Sequence, residues 1–156
     1  MTSILIINAS PNIDGATVKL VKRVLGSRSY EQINLVDYRF GFIGQEIEDD
    51  QFDSLVEIVR SAETIVLASP IYWHNLASIM RAFLERLSRC GLDSDYVGKK
   101  LLCLYQGCKP SDKTILAIED TIQRLIDKSQ MTCLGIVNGN DEDQVRKISI
   151  EIANTL

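Results

Sequence analysis

Apolar residues occur in five short runs with the length and composition of β-strands: Ser3–Asn8, Tyr30–Val36, Thr64–Ser69, Lys100–Gln106 and Met131–Val137. Four of these runs are almost continuous stretches of Ile, Leu, Val and Cys, which is typical of strands covered on both faces by helices. The second run alternates apolar and polar residues, so we expect it at an edge of the sheet.

Between these runs the apolar period becomes that of helices, with apolar residues three and four positions apart. The stripes are Val18, Val21 and Leu25; Phe52, Leu55, Val56 and Val59; Leu76, Ile79, Met80, Phe83, Leu84 and Leu87; Ile115, Ile118, Ile122, Leu125 and Ile126; and Val145, Ile148 and Ile152. Asp141 and Glu142 precede the last stripe, where acidic residues stabilise a helix N-terminus.

This alternation predicts one α/β domain over residues 1–156, with a doubly wound, five-stranded parallel sheet. Right-handed crossovers leave few topologies, and the strand order 2-1-3-4-5 is the expected one. In that order the chain reverses direction between strands 1 and 3, and ligands bind outside the carboxyl ends of those strands. We therefore expect the loops Ala9–Thr17 and Pro70–Asn75 to meet at one site.

The first of these loops has the composition of a phosphate-binding turn. Ser10, Asn12 and Thr17 offer hydroxyl and amide groups, and the following helix offers free backbone amides at its N-terminus. Equally, the same side chains can serve as ordinary turn and cap residues. The loop matches neither G-x-x-x-x-G-K-[ST] nor G-x-G-x-x-G, which disfavours ATP, GTP and dinucleotides on this loop.

The second loop suits a planar ring. Pro70 stiffens the turn, Tyr72 and Trp73 offer aromatic faces, and the backbone amides of residues 71–75 can reach carbonyl groups on a ring edge. The alternative is that both aromatic side chains pack against the third helix or a second subunit. A ring-binding loop beside a phosphate-binding loop indicates a mononucleotide, with flavin mononucleotide (FMN) as the first candidate.

Other candidates carry weaker signals. His74 is either a substrate contact and proton donor or a solvated loop residue, and Cys108 is either a reactive thiol or an inert one. Gly107, in a third loop over residues 105–110, would let the backbone approach a ring closely. The apolar segment over residues 37–50 is either a lid, a dimer contact or packing over the second helix.

Composition excludes several classes of function. Across 156 residues the net charge is -4, with no basic face for nucleic acid. No apolar run approaches the roughly 20 residues of a membrane span, and no basic flank or cleavage signal marks the first strand, so we expect a cytoplasmic protein. The single His and the spacing of Cys90, Cys103, Cys108 and Cys133 predict neither a metal site nor disulfides. Within their strands, Cys103 and Cys133 are expected to be buried apolar filler.

Both loops resemble motifs of the flavodoxin-like superfamily, within its NAD(P)H-dependent FMN reductase and iron–sulfur flavoprotein group. The segment 9–17 aligns with that group's G-S-P-R-x-x-G-N-T motif. Residues also match the more specific motif P-x-Y-[WF]-G-N-x-[SA]-x-x-[KR]-x-F-[IL]-[DE]-R, at Pro70, Tyr72, Trp73, Asn75, Ala77, Arg81, Phe83, Leu84, Glu85 and Arg86. In element order the resemblance covers essentially the whole chain.

This resemblance implies a set of cofactor contacts. The phosphate would be bound by Ser10, Asn12, Gly15, Ala16, Thr17 and Val18, and the isoalloxazine ring by Pro70, Ile71, Tyr72, Trp73, His74, Asn75, Gln106, Gly107 and Cys108. The chain departs from the motifs at Asn12, Ala16 and His74, where the group has a basic residue, Asn and Gly. It has Phe42-Ile43-Gly44-Gln45 where iron–sulfur members place cysteines, so no cluster is expected.

The expected function is an FMN-dependent oxidoreductase that passes electrons from NADPH or NADH to a quinone, a flavin or another small acceptor. Flavin chemistry needs no side-chain base, so no catalytic residue is assigned. The resemblance also implies a homodimer. One alternative is a flavodoxin-type electron carrier, although flavodoxins tend to be more acidic than this chain. Another is a scaffold with weakened flavin binding, suggested by Asn12, Asp14 and Ala16.

Overall fold

The computed structural model describes residues 3–92 and 94–156. Within these residues the strands are β1 (Ile4–Asn8), β2 (Glu31–Asn34), β3 (Thr64–Tyr72), β4 (Asn75–Leu76), β5 (Lys100–Gln106) and β6 (Thr132–Asn138). The α-helices are α1 (Ala16–Leu25), α2 (Phe52–Ser61), α3 (Ser78–Arg89), α4 (Asp112–Ser129) and α5 (Glu142–Thr155). Short 3-10 helices cover Leu35–Asp37 and Ser94–Tyr96.

The strands form one sheet in the order β2-β1-β3-β5-β6, and every neighbouring pair in this order is parallel. With helices on both faces, the fold is α/β. Only the two-residue strand β4 is antiparallel, and it pairs with the end of β3. Leaving β4 aside, the order is the predicted 2-1-3-4-5, so the doubly wound, flavodoxin-like fold class is confirmed with one extra strand. Its reversal point lies between β1 and β3, which are neighbours in the sheet.

Two helical layers cover the sheet, and alternate strand residues serve them in turn. Ile4 and Ile6 of β1 belong to the apolar cluster formed with α1 and α5. Leu5 and Ile7 belong to the cluster formed with α2, α3 and α4. All five residues of β1 are buried, as the continuous apolar run predicts. None of the helices in the described ranges has the length and hydropathy that a membrane span requires.

At both edges the sheet differs in detail from the predicted elements. β2 is shorter than the predicted Tyr30–Val36, because the chain turns into a 3-10 helix at Leu35. The prediction that Cys133 is buried is wrong, since Cys133 is exposed at the start of β6. As the last strand, β6 pairs only with β5, and a register shift interrupts that pairing beside Cys133. Cys103, in the middle of the sheet, is buried as predicted.

The predicted helical stripes face the core, with one misassigned position. The residues expected on α1, α2, α4 and α5 are buried, apart from the half-buried Ile115. Leu76 belongs to β4 rather than to α3, because it pairs with Ile71 of β3 before the helix starts at Ser78. Asp141 caps α5 by accepting hydrogen bonds from the amides of Asp143 and Gln144.

The long connection between the 3-10 helix at Leu35–Asp37 and α2 is anchored by one ion pair. Asp50 pairs with Arg86 of α3, and its carboxylate also accepts the amides of Gly41 (3.1 Å) and Phe52 (2.8 Å). Arg86 donates a second hydrogen bond to the Gly41 carbonyl at 3.2 Å, and its guanidinium carbon lies 4.2 Å from the centre of the Phe52 ring. Both ends of the connection are therefore held against α2 and α3.

Phe40 packs over the second helix, which was one of the alternatives for the segment over residues 37–50. Its ring lies 5.7 Å from that of Phe52 in α2, and Phe52 in turn lies 5.9 Å from Phe83 in α3. Phe42 behaves differently, because 60% of its surface is exposed. A lid or dimer contact therefore remains a prediction for Phe42 alone.

The substitution Asp50→Asn should destabilise the fold, because it removes the charge that Arg86 and two amides stabilise. Partial burial by itself would raise the pKa of Asp50, but the Arg86 and backbone hydrogen bonds outweigh burial and lower that pKa below its ordinary value. The stabilisation is therefore present above the ordinary Asp pKa and is lost as the pH falls through the lowered value. We expect a loss of about 1–3 kcal/mol in the free energy of unfolding at pH 7.

Urea unfolding at pH 7 and over a descending series of acidic pH values measures this difference. The control is Asp49→Asn, an exposed neighbour with a left-handed backbone (φ 57°) that Asn tolerates. Equal stabilities of the two variants at pH 7, or a difference that stays constant after Asp50 has been protonated, would contradict the assigned role of the ion pair.

Candidate functional site

The ends of β1, β3 and β5 bring three predicted site segments to one edge of the sheet. The Ala9 amide donates to the Ala68 carbonyl at 2.8 Å, which continues the β1–β3 pairing beyond Asn8. On the other side of β3, Pro70 lies in register with Gln106. The three segments at these strand ends, 9–18, 70–77 and 106–108, therefore start from neighbouring strands, as the predicted topology requires.

The first segment offers a set of hydrogen-bond donors at the start of α1. This helix has no side-chain cap, and its first backbone bond runs from Lys19 to Gly15 at 3.0 Å. The amides of Ala16, Thr17 and Val18 consequently have no partner among the described residues. Of the turn and cap roles in the second interpretation of this loop, side-chain capping of α1 is thus absent, whereas Ser10 does serve as a turn residue by accepting the Asn12 amide. An uncapped helix N-terminus is the arrangement that binds phosphate.

Side chains of the same segment divide into buried and exposed groups. Ser10 is buried, and its hydroxyl oxygen accepts the Asn12 amide at 3.2 Å. Thr17 is buried as well, and its hydroxyl accepts the Gln106 side-chain amide at 3.5 Å. Asn12, Asp14 and Ala16 are all exposed.

One residue that sequence reasoning missed supports this segment from beneath. Asn8, the last residue of β1, has no exposed surface. Its Oδ1 atom accepts the Ser10 amide at 3.0 Å, and its Nδ2 atom donates to the Asn34 side chain of β2 at 3.0 Å. The available signal was a polar residue ending an apolar strand, since buried amides are retained where they satisfy backbone groups. Asn8 therefore fixes the backbone from which Ser10 projects.

The second segment is a β-hairpin rather than the predicted loop. Strand β3 continues through Tyr72, turns at Trp73 and His74, and returns in β4 with Tyr72 opposite Asn75. The φ angles of Trp73 (46°) and His74 (64°) are both positive, which defines a type I′ turn. Pro70 is buried within the strand, and its carbonyl accepts the Ala77 amide at 3.0 Å. The segment predicted as a loop is therefore a hairpin, and contact of the 71–75 amides with a ring edge stays a prediction.

Aromatic surface is nonetheless available at the hairpin. Tyr72 is 50% exposed and Trp73 is 93% exposed, so Trp73 does not pack into the core against α3. The His74 ring lies edge-on to Trp73, with ring centres 5.7 Å apart. A hollow of about 720 Å³ adjoins the α3 side of the hairpin, lined by Phe40, Phe42, Tyr72, Trp73, Ile79 and Arg81 among others. No residue of the first segment lines this hollow.

The third segment lies against the hairpin. Gly107 is so close to β3 that a Cβ atom on it would lie 2.7 Å from the Ile71 Cβ, and glycine is therefore required by packing. This differs from the predicted reason, which was close approach to a ring. Gln106 and Gly107 are half-buried, and Cys108 is exposed.

Burial makes two side chains within β5 unsuited to thiol or acid–base chemistry near neutral pH. For the exposed Cys108, which follows the strand, both predicted alternatives stay open. Burial raises the pKa of the Cys103 thiol to about 12. Burial, followed by the nearby Glu119 carboxylate, raises the pKa of the Tyr105 hydroxyl far above its ordinary value. Across residues 3–92 and 94–156, no three His, Cys, Asp or Glu side chains are grouped to hold a metal ion.

Comparison with known proteins identifies the family. Residues 2–138 match the family model described as NADPH-dependent FMN reductase. The chain belongs to this family. A Bacillus subtilis (strain 168) protein named as an NAD(P)H-dependent FMN-containing oxidoreductase, YwqN, is 26% identical over 98 residues. That alignment covers 55% of this chain and 52% of YwqN, so the chain matches about half of its relative's length.

Solved structures of this kind share the fold of the chain at low sequence identity. RosB, solved with bound 8-demethyl-8-formylriboflavin-5'-phosphate, has a TM-score of 0.75 at 16% identity, covering 99% of this chain and 77% of RosB. An FMN-dependent NADH-azoreductase from Bacillus anthracis str. Ames Ancestor, in complex with FMN, has a TM-score of 0.68 at 15% identity. The match covers 98% of this chain and 99% of the azoreductase chain. The family resemblance read from the two sequence motifs is thus confirmed.

Residue His74 occupies a backbone conformation that favours glycine, so His74→Gly should stabilise the protein. Relief of the left-handed strain exceeds the extra chain entropy of glycine by about 0.5–1 kcal/mol. Thermal unfolding measures the gain. Gln130→Gly, at a φ of 56° after α4 and outside the site, is the matched control with the same expected gain. A destabilised His74→Gly variant beside a stabilised Gln130→Gly variant would instead assign His74 a favourable contact, such as its packing on Trp73.

Proposed function

We propose that the protein is an FMN-dependent NAD(P)H oxidoreductase that reduces a small acceptor such as a quinone or a free flavin. The observation that carries this proposal is the uncapped N-terminus of α1 after β1 and an exposed aromatic hairpin after the neighbouring strand β3, in a chain of the FMN reductase family. Bound FMN would accept hydride from the nicotinamide and deliver the electrons to the acceptor.

The residues present fit FMN. The amides of residues 16–18 and the Ser10 hydroxyl form a donor set for a phosphate dianion, and the helix dipole adds a favourable field. Tyr72 and Trp73 supply exposed aromatic faces for a conjugated ring on the hairpin that follows the neighbouring strand. The chain's own contribution would be to bind and orient the cofactor and to leave one ring face open to substrates.

Weakened flavin binding was suggested by Asn12, Asp14 and Ala16. All three side chains are exposed, whereas the proposed phosphate donors are backbone amides and buried hydroxyl groups. Phosphate binding through these donors would not depend on the three departures from the motif. This supports the proposal of a flavin-binding protein over that of a scaffold that has lost its cofactor.

Titration with FMN and with riboflavin, which lacks the phosphate, tests the proposal. We expect FMN to bind with a dissociation constant well below 0.1 mM, equivalent to about -5.5 kcal/mol, and riboflavin to bind more weakly. Steady NAD(P)H oxidation with a quinone should follow, because an electron carrier alone shows little turnover. Absence of FMN binding would contradict the proposed function, and binding without turnover would favour the flavodoxin-type carrier.

Replacement of Ala16 by proline isolates the phosphate donors. Proline is tolerated at the first position of a helix and removes one amide N–H, and the extended backbone of Gly15 (ψ -170°) accepts a following proline. Loss of one hydrogen bond to a dianion should weaken FMN binding by about tenfold, with riboflavin binding unchanged. The control is Asp112→Pro at the first position of α4, away from the donor set. Equal losses for FMN and riboflavin would contradict the assignment of the phosphate to α1.

We further propose that the chain forms a homodimer through the aromatic surface around the 720 Å³ hollow. Phe42 and Trp73 leave 60% and 93% of their surfaces exposed there, and clustered exposed aromatic groups typically mark an interface. Phe42→Glu should produce a monomer in light scattering, because it would bury a charge in the contact. Ile150→Glu is the matched control, since Ile150 is 58% exposed on α5 in the opposite layer. A monomeric unsubstituted protein, or an unchanged Phe42→Glu dimer, would contradict this interface.

A further inference from the structure

Asn140 makes a two-sided contact with the third site segment. Lying between β6 and α5, it accepts the Gly107 amide at its Oδ1 atom (3.0 Å) and donates from Nδ2 to the Gly107 carbonyl (2.6 Å). One side chain thus satisfies both backbone groups of Gly107, as a neighbouring strand would. Asn140 lies beyond residues 2–138, which match the family model, and outside the set of residues predicted to contact the cofactor.

The backbone around Asn140 is itself held firmly. The Asn140 amide donates to the Asn138 side chain at 3.0 Å, and the Gly139 amide donates to the Tyr105 carbonyl of β5 at 2.7 Å. A Cβ atom on Gly139 would lie 2.4 Å from the Leu20 Cδ2 atom, so the chain is tightly packed against α1 at this point. The side chain of Asn140 therefore projects from a fixed base.

This contact determines what the third segment can offer a ligand. The amide and the carbonyl of Gly107 are both hydrogen-bonded to Asn140. The space that a side chain of residue 107 would occupy is taken by Ile71, whose Cβ would lie 2.7 Å from a Cβ on Gly107. Gly107 itself has no free donor for a ring. The Cys108 amide, by contrast, has no partner among the described residues. Gln106, on the other side of Gly107, contacts Thr17 at the start of α1.

We propose that Asn140 is a positioning residue of the flavin site: it fixes the Gly107 peptide and thereby places Gln106 and Cys108 beside the hairpin. The inference rests on the proposed FMN binding. Asn140 acts through Gly107 and contacts no reacting atom. Its effect falls chiefly on the ring side of the site, because the proposed backbone donors to the phosphate belong to α1, which this segment meets through the Gln106–Thr17 contact.

The first arm of the test uses the protein without flavin. In Asn140→Ala, the Gly107 amide loses its acceptor, and its exchange with water measured by NMR should accelerate about fivefold, the equivalent of one ordinary hydrogen bond. Asn154→Ala, an exposed Asn in the last turn of α5, is the matched control and should leave this rate unchanged. Should Asn140→Ala fail to fold, Asn140→Ser serves instead, since its hydroxyl is too short to reach both groups. An unchanged exchange rate would overturn the proposal.

The second arm measures binding of FMN and of riboflavin, oxidised and reduced. We expect Asn140→Ala to weaken both ligands by a similar factor of about five to ten. It should also change the ratio of the dissociation constants for oxidised and reduced flavin, which a general loss of stability would leave constant. Unchanged affinities, or a loss confined to FMN, would overturn the positioning role while the proposed function stands. If the unsubstituted protein binds neither ligand, the proposed function and this inference both fall.

Discussion

The pairing of β1 with β3 is the interaction on which the rest of the molecule depends. If strands were arranged in chain order, β2 would lie between β1 and β3. Here the chain crosses from β2 back over β1, so that β3 pairs with the other edge of β1. The helices that follow β1 and β3 therefore lie on opposite faces of the sheet, α1 with one apolar cluster and α3 with the other. The segments that lead from β1 into α1 and from β3 into α3 therefore leave neighbouring strand ends toward opposite faces of the sheet. This topology creates a crevice between the two segments.

Polar side chains at this edge of an apolar sheet serve mainly the backbone. Asn8 holds Ser10, the Ser69 hydroxyl accepts the Ala77 amide at 3.1 Å, and Asn140 holds Gly107. These hydrogen bonds favour one backbone conformation over others, so the side chains define the path of each segment. The segments are consequently ordered by the protein itself, and a ligand at the α1 amides would meet donors already in place.

The turn of the aromatic hairpin goes against local backbone preferences. Trp73 and His74 adopt left-handed conformations in a turn that usually contains glycine. Such strain persists only where the surrounding structure holds it, here the pairing of Tyr72 with Asn75.

Arg86 belongs to the second sequence motif, but it contacts Asp50 and Gly41 rather than the aromatic hairpin. Its observed role is to secure the connection that carries Phe42.

The sequence alone determined the layered sheet and the helical stripes, because burial period and strand alternation are local properties, and its two motifs indicated the family. That the first two loops form one site stays a prediction. Only the tertiary structure decided that Leu76 belongs to a hairpin and that Cys133 lies exposed at an edge. The roles of Asn8, Asn140 and Arg86 were equally hidden. Arg86 and Asp50 are 36 residues apart, and Asn140 and Gly107 are 33 apart. Such contacts depend on how distant segments pack, and no local pattern in the chain encodes that packing.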